Sequence, residues 1–175
     1  KIHFWDLRAR KNIQTIDLGE NYQMALEIRP AHDPTKSYGF CGVVADNTNL
    51  QGAVFTWWRD EDGKWQAKKT IAIDPRPEDP EDLPEIIKGF GAVPVLITDI
   101  DLSLDDKYLY VACWGIGEMH QYDVSDPFNP VLAGKVELGG IAKETKHPNG
   151  KDFVYGPQMV EVSRDGKRVY WTNSL

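Results

Sequence analysis

Short runs of alternating apolar and polar residues cover most of the chain, separated by turns rich in Asp, Gly, Asn and Pro. A period of two marks half-buried β-strands. The pattern predicts strands over Ile2–Leu7, Ile13–Leu18, Met24–Pro30, Phe40–Ala45, Ala53–Arg59 and Trp65–Ile73. It continues with Leu96–Leu102, Tyr108–Cys113, Met119–Val124, Val131–Leu138, Gln158–Val162 and Val169–Thr172. Two hairpins are near copies. Leu102–Tyr110 and Val162–Tyr170 each read as an apolar run, Ser, one residue, an acidic turn, a base and a second run with Tyr. Their serines, Ser103 and Ser163, lie 60 residues apart. A hairpin recurring at that period points to a repeat architecture, most naturally a β-propeller.

Grouped in fours, the strands predict an all-β fold of two full blades, 24–73 and 96–138, and two half-blades, 1–18 and 158–175. The third strands share an aromatic just ahead of an acid: Trp5-Asp6, Trp58-Arg59-Asp60 and Tyr122-Asp123. A closed propeller needs about four to eight blades. The chain is therefore expected to be part of a larger ring, with unpaired edges that favour self-association if it is produced alone. Two connections exceed hairpin length. Asp74–Val95 carries five prolines and the acids Glu78, Asp79, Glu81, Asp82 and Glu85, and reads as a solvated insert in which Leu83–Phe90 forms a turn or two of helix. Gly139–Pro157 is the other, and both are expected on one face of the ring.

A formal net charge of −7 argues against general binding to nucleic acid or to an anionic membrane. No apolar run approaches the roughly 20 residues of a membrane-spanning helix. The opening Lys1-Ile2-His3-Phe4-Trp5 leaves cytoplasm and periplasm both open. Cys41 and Cys113 are too few for a disulfide framework and read as buried thiols.

Nucleotide, hydrolase and zinc-protease fingerprints are missing: Gly115-Ile116-Gly117 lacks the third glycine and its strand–helix setting. The four histidines are scattered, so a metal site would have to be assembled from different blades. Leu26–Pro34 is the densest polar strand segment. Glu27 and Arg29 alternate with Leu26 and Ile28 on a predicted innermost strand, and His32 follows in a loop stiffened by Pro30 and Pro34. A rigid loop suits a ligand or acid–base histidine; a structural Glu–Arg pair with a plain loop histidine is the blander reading. Asp99 and Asp101 share one face of the next innermost strand, Asp99 towards the channel and Asp101 towards hairpin backbone. Gln158 opens the one after. Glu27, Arg29, Asp99 and Gln158 are therefore expected to converge near the axis. His3 and His120, on third strands, read as surface or inter-blade residues, and His147 as an exposed loop residue.

Several segments together resemble the selenium-binding protein family, whose bacterial members include methanethiol oxidases. They are Lys1–Leu7 (KIHFWDL), Leu26–Pro34 (LEIRPAHDP), Leu83-Pro84-Glu85, Ile97–Asp106 (ITDIDLSLDD), Gln121–Pro127 (QYDVSDP), Leu138–Gly140 and Gly156–Ser163 (GPQMVEVS). The resemblance implies a ring of about seven blades. It implies oxidation of methanethiol, with O₂ and water, to formaldehyde, hydrogen sulfide and hydrogen peroxide. It also implies copper, for which imidazole is a suitable ligand. Of the histidines that recur in the family, only His32 is present here, so it is the expected copper ligand, with Glu27, Arg29, Asp99 and Gln158 as candidates to orient it. The family's selenium-linked cysteine, its upstream pair of closely spaced histidines and its C-terminal histidine segment have no counterpart among these residues. Cys41 and Cys113 do not match that cysteine. Animal members carry a histidine where this chain has Ile116. The expected function is a methanethiol oxidase-like oxidoreductase acting on a small thiol and O₂, with a chain of this extent inactive alone. The rival is a non-catalytic propeller scaffold, or a selenium- or metal-binding protein that docks a partner.

Overall fold

The computed structural model describes residues 1–142, 145–153 and 156–173. It is all-β, built from antiparallel sheets that follow chain order. β1 (Ile2–Asp6) pairs with β2 (Lys11–Ile16). β3 (Ala25–Pro30), β4 (Tyr38–Val43), β5 (Gly52–Arg59) and β6 (Trp65–Ile73) form a four-stranded meander. The insert that follows holds a small ribbon of β7 (Arg76–Pro77) and β8 (Ala92–Val93). A second meander runs β9 (Ile97–Leu102), β10 (Tyr108–Cys113), β11 (Glu118–Asp123) and β12 (Val131–Glu137). β13 (Thr145–Lys146) pairs with β14 (Asp152–Phe153), and β15 (Pro157–Val162) with β16 (Val169–Asn173). The expected span 158–175 loses its last two residues from this description, and the connection 139–157 loses 143–144 and 154–155, which lie outside the described residues.

The twin hairpins are one physical turn built twice. Ser103 Oγ accepts from the Tyr108 N–H at 2.8 Å and donates to Asp105 at 2.7 Å. Ser163 Oγ likewise accepts from the Arg168 N–H at 3.0 Å and donates to Asp165 at 2.6 Å. The fourth residue of each turn is left-handed: Asp106 at φ 59° and Gly166 at φ 68°. Glycine takes that conformation freely, whereas a side chain with a Cβ does so at a cost.

Burial explains why the sheets stack in sequence. The main core lies between the two meanders, where Phe40, Val54 and Ile71 meet Ile100, Leu102, Leu109 and Val111. A second core joins β1–β2 to the first meander, with Phe4 stacked on Trp65 at 4.3 Å between ring centroids. There the Gln14 amide donates to the Trp65 carbonyl at 2.6 Å and accepts from its N–H at 2.8 Å, standing in for a strand neighbour. A third, smaller core of Ala112, Met119 and Val160 joins the second meander to β15–β16.

The acidic insert is only half of what its composition suggests. Glu81, Asp82 and Glu85 are exposed, but Leu83, Val93 and Val95 are buried in the main core. The expected short helix is two separate 3-10 turns, Pro80–Asp82 and Lys88–Phe90. Pro84 and a left-handed Gly91 break any longer helix.

Candidate functional site

The first strands of successive sheets, β3, β9 and β15, pack side by side and bring four charged side chains together. Arg29 Nε lies 3.2 Å from Asp101 and its Nη2 3.6 Å from Asp99, and its Nη1 also engages Glu27. Each aspartate then reaches onward. Asp99 accepts from the N–H of Ile100 at 2.9 Å and of Val160 on β15 at 2.8 Å. Asp101 accepts from Leu102 at 2.9 Å and from Val162 at 2.7 Å. Burial lifts the Asp99 carboxyl above its ordinary range, although the Val160 N–H and the Arg29 guanidinium pull the other way. Glu27, Arg29 and Asp99 line a cavity of about 400 Å³ with Met159 and Trp171. The Gln158 carbonyl accepts from Thr98 Oγ1 at 2.7 Å, which ties β15 to β9.

His32 occupies a different place. β3 ends at Pro30, and the Ala31 N–H donates to the Tyr38 carbonyl at 3.0 Å, closing a tight loop. Asp33 secures the bend by accepting from the Thr35 N–H at 2.9 Å and from its hydroxyl at 2.7 Å. The carboxylate that meets His32 belongs to Asp106, in the turn of the next sheet. It accepts from the His32 N–H at 2.8 Å and the Asp33 N–H at 3.2 Å, and lies 3.1 Å from His32 Nδ1. Lys36 Nζ is 3.5 Å from its other oxygen. The Asp106 side chain is 4% exposed and the His32 side chain 42% exposed. Burial works against ionising Asp106, but the His32 and Asp33 N–H groups outweigh it and hold the carboxyl below its ordinary range.

Strand direction fixes which end of the sheets this is. His32 follows the C-terminal end of β3, whereas the connection after β6 starts three strands later, at the opposite end. The His32 loop and the long inserts therefore lie on opposite faces.

His3 is exposed, with Nδ1 2.9 Å from Thr15 Oγ1. His147 is exposed in its loop. His120 is buried, with Nε2 2.6 Å from Glu118, whose other oxygen accepts from Lys135 at 2.8 Å. Burial lowers the His120 imidazole below its ordinary value of 6.5, and the Glu118 carboxylate offsets this only in part. Burial raises Glu118, but Lys135 and His120 outweigh it and leave it below 4.5. Both shifts have one sign. Below about pH 6.5 the unfolded chain binds the His120 proton more readily than the folded one, so stability falls on acidification, and the Glu118 contribution is lost at lower pH still. His120→Gln is expected to reduce the slope of unfolding free energy against pH in that window, by at most about 1.4 kcal/mol per pH unit. Denaturant titrations at a series of pH values check this; an unchanged slope would contradict it.

Burial pushes the Cys41 thiol up to about 11 and the Cys113 thiol well above its ordinary value. Neither is primed as a thiolate at neutral pH. Among the described residues, no three His, Cys, Asp or Glu side chains cluster to hold a metal ion, and no helix is long and apolar enough to cross a membrane. His32 therefore offers one imidazole donor.

Sequence reasoning missed Asp106 as the partner of His32. One signal marked it: the sister hairpin has Gly166 at the same turn position.

The folded chain defines a repeat of packed antiparallel sheets, and comparison with known proteins gives it a family. The pattern of the 56 kDa selenium-binding proteins matches residues 1–175, and the chain belongs to that family. It is 40% identical over 99% of its length to methanethiol oxidase of Xenopus tropicalis. It is 36% identical, over the same share, to selenium-binding protein 1 of Arabidopsis thaliana. The crystal structure of a hypothetical selenium-binding protein from Sulfolobus tokodaii superposes with a TM-score of 0.93 at 55% identity, over 99% of this chain and 38% of that one. The chain spans 38% of the Xenopus protein and 36% of the Arabidopsis one.

Proposed function

We propose that these residues form two full blades and two half-blades of a β-propeller, in a protein that oxidises methanethiol with O₂ and water to formaldehyde, hydrogen sulfide and hydrogen peroxide. The observation that carries this reading is the 40% identity to a methanethiol oxidase across 99% of the chain. The propeller is supported by the in-order stacking of four-stranded meanders with β3, β9 and β15 adjacent.

The reading takes copper as the cofactor. The donor chemistry fits in kind: His32 presents a half-exposed imidazole backed by a carboxylate, and imidazole suits copper. It does not fit in number, since one donor holds no catalytic metal, so further ligands must come from other parts of the protein. Copper, when bound, would take electrons from the thiol and deliver them to O₂. This chain's own contribution is to hold the His32 ring through Asp106 on a loop stiffened by Pro30 and Pro34. The Arg29–Asp99–Asp101 network keeps the neighbouring innermost strands in place.

The full-length protein loaded with copper should release hydrogen peroxide and hydrogen sulfide from methanethiol. His32→Ala should lower its copper content and its peroxide yield together. Unchanged copper content in the variant would remove His32 from the metal site. Copper-loaded wild type that yields no peroxide would favour the second reading, a selenium-binding protein without catalysis, which the names of the Arabidopsis and Sulfolobus relatives support.

A further inference from the structure

We propose that Asp106 is a positioning residue that holds His32 in a single tautomer, with the proton on Nδ1 and the Nε2 lone pair on the ring edge away from Asp106. Its consequence for metal binding rests on the reading of His32 as a ligand; the tautomer itself does not.

The geometry carries the inference from two directions. The first is the turn. Ser103–Lys107 and Ser163–Lys167 share their serine and aspartate contacts, and both place their fourth residue at positive φ. In one that residue is Gly166, which needs no compensation. In the other it is Asp106, which is strained there unless its side chain makes up the difference. The second is where that side chain goes. It leaves its own sheet, is almost wholly buried, and takes hydrogen bonds from two consecutive backbone N–H groups of the His32 loop. Those two bonds alone would cap the loop. The third contact, at 3.1 Å to His32 Nδ1, fixes the ring as well.

An ionised carboxylate has no proton to donate, so the hydrogen at this contact must come from the imidazole. The His32 and Asp33 N–H groups and the Lys36 ammonium all face the Asp106 oxygens, which sets the carboxylate as the acceptor at this contact. A neutral ring that donates from Nδ1 leaves Nε2 as its free lone pair. The arrangement is the carboxylate–imidazole pair that commonly orients metal-binding histidines, and losing such a carboxylate typically costs about 10- to 100-fold in metal affinity.

The test uses full-length protein labelled with ¹⁵N-histidine, and Asp106→Gly as the main variant. Glycine satisfies the left-handed turn, as Gly166 does, so this variant removes the carboxylate without straining the backbone. Long-range ¹H–¹⁵N spectra of the metal-free protein, with His32 assigned through His32→Gln, should show one tautomer in the wild type, protonated at Nδ1. In Asp106→Gly they should show an averaged or reversed tautomer. Asp106→Asn, which keeps an acceptor oxygen, should fall between. The same His32 spectrum in wild type and Asp106→Gly would overturn the proposal. Copper affinity, measured by chelator competition, should fall about 10- to 100-fold in Asp106→Gly. A tautomer change with copper unaffected in both Asp106→Gly and His32→Ala would uphold the positioning role and sink only the copper reading.

Discussion

Asp99→Ala is expected to destabilise the full-length protein by about 3 kcal/mol, with a lower midpoint of urea unfolding and an unchanged slope. The Asp99 side chain is 4% exposed and serves three donors: the N–H of Ile100, the N–H of Val160 and the guanidinium of Arg29. Truncation leaves two buried N–H groups unpaired, at about 1–3 kcal/mol for each group that finds no water. Arg29 loses less, because Asp101 and Glu27 remain beside it. The raised Asp99 carboxyl sharpens the prediction. A folded-state value above the ordinary one means that folding does not favour the charged form, so the contribution of Asp99 lies in its hydrogen bonds. Asp99→Asn keeps an acceptor oxygen and should cost about 1 kcal/mol. If Asp99→Ala unfolds within 0.5 kcal/mol of wild type, a threshold at the scale of ordinary surface substitutions (roughly ±0.5), the network is ornamental.

Gly117→Ala should be more damaging, at about 3–6 kcal/mol, and should shift the protein into the insoluble fraction. Gly117 adopts φ 70°, and a Cβ built on it would run into the backbone carbonyl of Gly139. Backbone strain and steric overlap therefore act at one site, and neither partner can yield as a flexible side chain would. The close approach has a purpose. The Leu138 N–H donates to the Gly117 carbonyl at 2.7 Å, and the Ile141 N–H to the Gly115 carbonyl at 3.0 Å, tying the start of the second long connection to the β10–β11 turn. Gly134→Ala is the control: nothing lies within 4 Å of its would-be Cβ, and it should behave as wild type. Thermal unfolding of the soluble fractions distinguishes the pair, and comparable stability of both variants would refute the steric argument.

The strands were legible from their short apolar runs and the Asp, Gly, Asn and Pro turns between them; burial alternates cleanly in β3, whereas β4 and β5 are buried on both faces. Register was legible in the twin hairpins, whose serine and aspartate act within five residues. What escaped reading depends on distant partners. Leu83 gives no local sign that it enters a core beneath an acidic loop. Asp106 meets His32 across 74 positions, and only the left-handed turn it occupies distinguishes it from any other turn aspartate. His120 was ambiguous because a histidine on a third strand faces water or a neighbouring sheet according to the packing of that sheet; here it is buried against Glu118. Ile116 is buried at 3% exposure in the main core.

The paired bonds from Asp99 to Val160 and from Asp101 to Val162 advance two residues together on both strands. β9 and β15 therefore run in the same direction without sharing a sheet. Apolar packing between such neighbours has a blind spot: a slip by two residues returns every side chain to its original face. The two carboxylates remove that degeneracy. Sliding β15 by one pleat repeat would leave one aspartate without its N–H and one buried N–H without its aspartate. They work as a two-tooth vernier, setting the height of one sheet against the next on a scale that hydrophobic contact cannot resolve.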